Sequence, residues 1–184
     1  GSKPDTKRAI VTLAAGENAL YSSVIDPPSG TALFGTYTDP GHIVKVALGA
    51  GAAAPSRVGA VTLNAGENKP AAAIFDPLAG RAYFGTLTSP GRVVSIGLGS
   101  PAAAPQRLGA VELPAGEDQL YAGVLNPADH GALFMTYVNL ATVHRIFTSP
   151  QGQLHMTRFT LPSSGQINSV SFYSHIAVGH LRLA

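Results

Sequence analysis

Not one of the 184 residues is cysteine, which excludes a disulfide framework, a thiolate nucleophile and a cysteine-ligated zinc site together. Charge is also scarce, at 12% of residues, about half the usual share. Twelve Lys and Arg stand against ten Asp and Glu for a formal net charge of +2. The basic residues are scattered along the chain, so they build no concentrated field for a polyanion, and nucleic acid is not expected as a partner. No uninterrupted apolar run is long enough to span a bilayer as a helix, and no signal-like apolar core stands at the start. Catalytic signatures are missing as well: there is no Gly-x-Ser-x-Gly elbow and no glycine-rich phosphate loop leading into a helix.

What remains is a chain that is 45% hydrophobic and has no long polar tract, the composition of a folded domain rather than a disordered one. Gly, Ala, Ser, Thr and Pro dominate the polar and small positions, a surface suited to packing against neighbours. Residues 1–7, opening on Gly1-Ser2, read as a tag remnant or N-terminal tail. Residues 8–184 read as a single domain.

That domain is repetitive. The segments AIVTLAAGENALYSSVIDPPSGTALFGTYTDPGHIVKVALG, AVTLNAGENKPAAAIFDPLAGRAYFGTLTSPGRVVSIGLG and AVELPAGEDQLYAGVLNPADHGALFMTY align at a constant offset of about fifty residues, with Gly16, Gly66 and Gly116 at a shared turn. A degenerate fourth copy begins near Arg158. The repeats are placed at about 8–57, 58–107, 108–157 and 158–184, the last incomplete. A period of this size belongs to architectures in which each copy is one supersecondary unit that buries its apolar face only against the next.

Within a copy, β-branched and aromatic residues alternate with polar ones or form short runs, punctuated every 8 to 12 residues by Gly, Pro, Asn or Asp, which is strand spacing. The first copy predicts strands at about 21–25, 31–37, 42–48 and 57–63, with a further outer strand over 8–13 ahead of them. Asp26-Pro27-Pro28-Ser29-Gly30 and Asp76-Pro77-Leu78-Ala79-Gly80 supply hairpin turns, and Asp39-Pro40-Gly41 and Ser89-Pro90-Gly91 supply the next corners. The Ala-rich segments 49–55 and 99–105 are bounded by Gly and Pro and are expected as loops. Four-stranded antiparallel units in tandem predict an all-β fold, a β-propeller with about 3.5 to 4 blades in this chain. Small residues such as those of Ser22 to Ile25 and Ala71 to Ile74 suit the crowded inner strand, and Phe34, Phe84 and Phe134 are expected in the core between blades. The 8–13 strand either closes a four-bladed ring by completing the last blade, or the ring is larger and completed from elsewhere.

The stretch IFDPLAGRAYFGTLTSPGRVVSIGL resembles the repeats of the YVTN and NHL-like propeller group, as found in large repetitive surface proteins of protists and bacteria. The resemblance runs from residue 8 to about 140 and is lost at Val138-Asn139-Leu140-Ala141-Thr142. It implies a propeller used for interaction or assembly, in an extracellular or cell-surface setting, and it identifies a blade rather than an activity.

The recurring AGE-N/D element sets Glu17 and Asn18, Glu67 and Asn68, and Glu117 and Asp118 on equivalent loops. If their oxygens converged on the propeller axis they would suit a hard cation such as Ca²⁺. Turn chemistry is the simpler reading, with Asn and Asp capping their own backbone and Glu solvated or paired with a neighbouring blade, so no metal and no cofactor is predicted. Asp26, Asp76 and Asn126 each precede proline at a hairpin corner and are read as turn residues. His144, His155, His175 and His180 have no metal-ligating spacing. Tyr21 and Tyr121 flank two of the AGE-N/D loops, where a glycan site would want aromatics. Tyr37, Tyr137 and Tyr173 read as strand residues with hydroxyls at an edge. No catalytic residue is assigned. The function expected is a non-enzymatic structural or protein-interaction module, its partner a protein or further copies of itself joined through an open blade edge. The alternatives are a lactonase-like propeller hydrolase with a channel cation and a glycan-binding module.

Overall fold

The computed structural model describes residues 9–51, 53–137, 142–148 and 154–160, the last two stretches as backbone only. Twelve strands form three four-stranded sheets, each in sequence order and each antiparallel throughout. The first holds β1 (Leu20–Asp26), β2 (Thr31–Thr36), β3 (His42–Ala47) and β4 (Ser56–Thr62). The second holds β5 (Pro70–Asp76), β6 (Arg81–Thr86), β7 (Arg92–Gly97) and β8 (Gln106–Glu112). The third holds β9 (Leu120–Asn126), β10 (Gly131–Thr136), β11 (Thr142–Thr148) and β12 (Leu154–Thr160). These are the four strands per copy that period-two patterning predicts, each within a residue or so of its expected bounds. Among the described residues there is no helix, and the Ala-rich segments are loops, with residue 52 outside the description.

Two expectations need correction. Residues 9–13 carry no strand, although the sequence there matches the outer strands β4 and β8. A strand needs a partner to satisfy its backbone, and β12, the described outer edge of the third sheet, is paired with β11 alone. The second concerns Phe34, which is only partly buried, whereas Phe84 and Phe134 are fully buried as expected.

The register shows which faces of the sheets meet. Successive side chains alternate between the faces of a sheet, so Val24, Leu33, Ile43 and Val61 share one face of the first sheet, and Ser23, Phe34, Val44 and Ala60 share the other. The Leu33 face packs on Ala82, Phe84, Val94 and Ile96 of the second sheet. The Tyr83 face of the second sheet then packs on Ala132 and Phe134 of the third. Each joint therefore sets the rear face of one sheet against the front face of the next, and full burial of a Phe there contributes about 1.5–3 kcal/mol. Phe34 lies on the front face of the first sheet, next to exposed Ser23 and Ile25 of the inner strand, whereas Ala32, Val44 and Val46 further out on the same face are buried.

The inner strands β1, β5 and β9 run side by side, and glycines on the strands next to them, β2 and β6, make that possible. A Cβ on Gly35 would come within 2.7 Å of the Pro70 carbonyl oxygen, and one on Gly85 within 2.7 Å of the Leu120 Cβ. Ser22 adds a hydrogen bond across the first joint, its Oγ donating to the Pro70 carbonyl at 2.7 Å. A single lysine crosses the same joint further out. Lys45, fully buried on β3, donates from Nζ to the carbonyls of Leu98 (2.8 Å), Ser100 (2.7 Å) and Ala103 (3.2 Å), pinning the second sheet's Ala-rich loop. Burial pushes its pKa down.

Candidate functional site: the rim of repeated loops

Pairing of Leu20 with Thr36 and of Asp26 with Thr31 fixes the two ends of the first sheet, and the other sheets repeat it. At the Leu20 end stand the AGE-N/D loops and the corners between second and third strands. The hairpin turns at 27–30, 77–80 and 127–130 stand at the other end, with the Ala-rich loops.

Each AGE-N/D loop is a backbone device first. Gly16, Gly66 and Gly116 have φ of 84°, 80° and 85°, a left-handed conformation that costs glycine little. Three residues later Ala19, Lys69 and Gln119 also lie at positive φ, 51°, 52° and 56°, which non-glycine residues adopt only where their surroundings enforce it. The enforcement comes from both sides. The Lys69 carbonyl accepts from Leu87 N of its own sheet while Lys69 N donates to the Thr38 carbonyl of the preceding one (3.0 Å). Gln119 repeats both contacts, with Tyr137 N and with the Thr88 carbonyl (3.1 Å).

Glu67 then links two sheets. The Glu67 carbonyl accepts from Gly41 N of the first sheet (3.2 Å), while its carboxylate accepts from Arg107 of the second, with Nε at 2.7 Å and Nη2 closing a bidentate pair. Asn64 N adds a third hydrogen bond to Oε2 at 3.0 Å. The Glu17 carboxylate repeats the side-chain part of this arrangement, accepting from Arg57 Nε (2.6 Å) and Nη2 and from Ala14 N (2.9 Å). The Glu117 carbonyl accepts from Gly91 N at 2.9 Å, and Thr157 occupies the position corresponding to Arg57 and Arg107. The hydrogen bond from Arg57 holds Glu17 below the ordinary glutamate range. At Glu67 burial pushes the carboxyl up, and the Arg107 and Asn64 hydrogen bonds outweigh it, leaving the pKa lowered. These bidentate pairs, forty residues apart in sequence, are absent from the sequence reading. An arginine recurring in SRVGAV and QRLGAV at the same fifty-residue offset as the glutamates was the signal available.

Glu17 and Glu67 are thus turned to their arginines rather than toward a shared axis. Among the described residues no three His, Asp or Glu side chains gather in a set that would hold a metal ion. Asn18 is exposed, and Asn68 and Asp118 are half-buried. The Oδ1 atoms of Asn68 and Asp118 are shielded from solvent with no hydrogen-bond donor on them among the described residues. The hairpin-corner residues behave as turn chemistry predicts: Asp76 Oδ1 accepts from Leu78 N and Ala79 N, and Asn126 Oδ1 from Ala128 N. Asp76 also meets His130 Nδ1 of the third sheet at 2.9 Å. His144 and His155 lie in β11 and β12 with side chains outside the described residues, as do His175, His180 and Tyr173 entirely.

The exposed chemistry of this rim is aromatic. Tyr21 and Tyr37 form a tilted pair with ring centroids 5.2 Å apart, and Tyr121 and Tyr137 form its counterpart at 5.1 Å. All four are exposed. Lys69 Nζ sits 5.0 Å over the Tyr37 ring, bringing a charge from the second sheet onto the pair of the first. The second sheet has Ala71 and Leu87 at the corresponding positions, so the pairs alternate with a gap.

No family model and no curated protein matches the chain. Solved structures do. A 6-phosphogluconolactonase candidate from Bacteroides uniformis superimposes with a TM-score of 0.58 at 11% identity, over 76% of this chain and 40% of that one. The β-propeller domain of Myceliophteria thermophila Cps50 (Swd1) superimposes with a TM-score of 0.53 at 12% identity, over 91% of this chain and 42% of that one. The chain spans less than half the length of either. At such identity the likeness speaks to fold alone, and with three four-stranded antiparallel sheets packed face to face it establishes that this chain is built of β-propeller blades.

Proposed function

We propose that the chain is a non-enzymatic protein-interaction module of the YVTN/NHL-like kind, working in an extracellular or cell-surface assembly, with the tyrosine-bearing rim as its contact surface. The observation that carries this reading is how the rim divides its chemistry. Glu17 and Glu67, two of the three carboxylates, with Glu117, that a hydrolase or a channel cation would draw on, are engaged in bidentate pairs with Arg57 and Arg107. Among the side chains this rim exposes are four tyrosines, which combine large rigid contact area with a polar tip, the combination enriched at interfaces. The surface setting rests on the resemblance of the repeats and on their low charge.

The test is site-specific photo-crosslinking at Tyr137, on the rim, and at Leu78, on the opposite end of the sheets, in the native surroundings. Capture of one defined protein at Tyr137 and not at Leu78 supports the reading. Hydrolysis of a lactone panel that disappears in Glu67→Gln, in protein whose fold is intact by circular dichroism, overturns it. The tyrosine pairs also favour a glycan as a second reading, because sugar rings stack on exposed aromatic faces. A glycan array without hits removes it.

A further inference from the structure

The two tyrosine pairs of the rim are alike in geometry and unlike in what surrounds them. The Tyr21–Tyr37 pair already holds a cation, since Lys69 Nζ stands 5.0 Å from the centroid of the Tyr37 ring, a distance at which the negative face of an aromatic ring attracts positive charge. Tyr37 is 42% exposed. The Tyr121–Tyr137 pair has its centroids 5.1 Å apart, but among the described residues no cation stands over either of its rings, and Tyr137 is 74% exposed.

The loop beside this second pair differs in charge. Asp118 stands where the first two copies have Asn18 and Asn68, and Gln119 stands where the second has Lys69. One change brings in a carboxylate and the other takes away an ammonium. The loop is bonded directly to the pair, Tyr137 N donating to the carbonyls of Asp118 (3.3 Å) and Gln119 (3.1 Å). Asp118 is half-buried, so salt screens its charge less than it would at the open surface.

We propose that the Tyr121–Tyr137 pair is a receptor for one cationic side chain, a lysine or arginine presented by a protein partner, held over these rings as Lys69 is held over Tyr37. This rests on the reading of the rim as a contact surface and gives the partner its chemistry. Charge complementarity selects the occupant: the ring faces and the Asp118 carboxylate both favour a cation, and an aliphatic or acidic side chain gains from neither. One exposed contact of this kind is weak by itself, so within a larger interface it sets orientation and selectivity.

The experiment needs no partner. The full chain, labelled on its tyrosine rings, is titrated at low ionic strength with Nα-acetyl-lysine amide and Nα-acetyl-arginine amide, with the uncharged Nα-acetyl-citrulline amide as control, and ring signals are followed by nuclear magnetic resonance. The expected result is a saturable shift of Tyr121 and Tyr137 with a basic amide, none with the citrulline amide, and none at Tyr83, which is fully buried. Each test substitution installs a residue that another copy carries at the same position, with the fold checked by circular dichroism. Asp118→Asn should weaken binding about two- to fivefold, the worth of an exposed ion pair. Tyr121→Ala with Tyr137→Leu should abolish it. Lys69→Gln uncovers the first pair, so Tyr21 and Tyr37 should begin to respond, more weakly because Asn18 stands there for Asp118. Three outcomes overturn the proposal: no saturable shift with either basic amide, equal shifts with the citrulline amide, or binding indifferent to Asp118→Asn. Crosslinking at Tyr137 reads the rim separately. A protein captured there without amide binding keeps the rim reading and ends this one, whereas amide binding with no protein captured ends the rim reading while the cation receptor stands.

Discussion

Removing one partner of the Glu67–Arg107 pair should cost very different amounts depending on which partner goes. The Glu67 side chain is 4% exposed and that of Arg107 24%. Replacing Arg107 with methionine keeps most of the aliphatic stem but leaves a buried carboxylate whose remaining donor is Asn64 N. An uncompensated buried charge of this kind costs about 3–5 kcal/mol, and the nearness of Arg107 to solvent argues for the lower end, about 3 kcal/mol. Replacing Glu67 with glutamine leaves a guanidinium that can turn outward to water, and the amide oxygen can still accept from Asn64 N. About 1–2 kcal/mol is lost there, the worth of hydrogen bonds to a charged group. Urea denaturation followed by circular dichroism reads both variants on one scale, with the slope against denaturant checked for constancy. Equal losses, or a larger loss for Glu67→Gln, would refute the claim that desolvation of the carboxylate dominates this clasp.

The same clasp predicts acid sensitivity. Glu17 and Glu67 have folded-state pKa values below their ordinary ones, so their contribution is fully present above the unfolded value near 4.3 and is lost as pH falls through the lower folded value. The gap in thermal midpoint between wild type and Glu67→Gln should hold from pH 7 to about 5 and close below pH 4; a gap that widens on acidification contradicts it. Gly85→Ala sets a Cβ 2.7 Å from the Leu120 Cβ and 3.1 Å from the Phe134 ring. Overpacking of the second joint should destabilise by ~1–3 kcal/mol in denaturant titration, and a neutral result would mean the inner strands are looser than described. Lys45→Met removes a buried ammonium together with the donor for three carbonyls. Relief of desolvation offsets part of that loss, leaving a net cost of ~2 kcal/mol and faster amide exchange in the 99–105 loop. Unchanged exchange there would show that the lysine does not hold the loop.

Much of the fold was legible because it is written locally and three times over. Alternation of Val, Ile, Phe and Tyr with small residues sets strand faces without reference to the rest of the chain. Proline and glycine at 26–30 and 76–80 place the turns by their own backbone restrictions, so strand bounds fall within a residue of expectation. The AGE-N/D loops were legible as loops for the same reason. Their glutamates were not legible as arginine partners, because the arginines lie forty residues away on the outer strand of the same sheet and meet them only once all four strands have paired. The exposed tyrosine pairs were half legible: Tyr21 and Tyr121 stood out beside the loops, but their pairing with Tyr37 and Tyr137 depends on the bulge at the start of β1 and β9.

The sequence by itself determined the all-β class, the four strands of each copy and the tandem order of the blades, since backbone propensity and period-two burial act over a few residues at a time. Only the tertiary structure decided which face of each sheet meets the next, that Lys45 spans a joint, and that Gly35 and Gly85 lie against the next sheet's inner strand. Those outcomes depend on distances between residues remote in the chain, which no local pattern encodes.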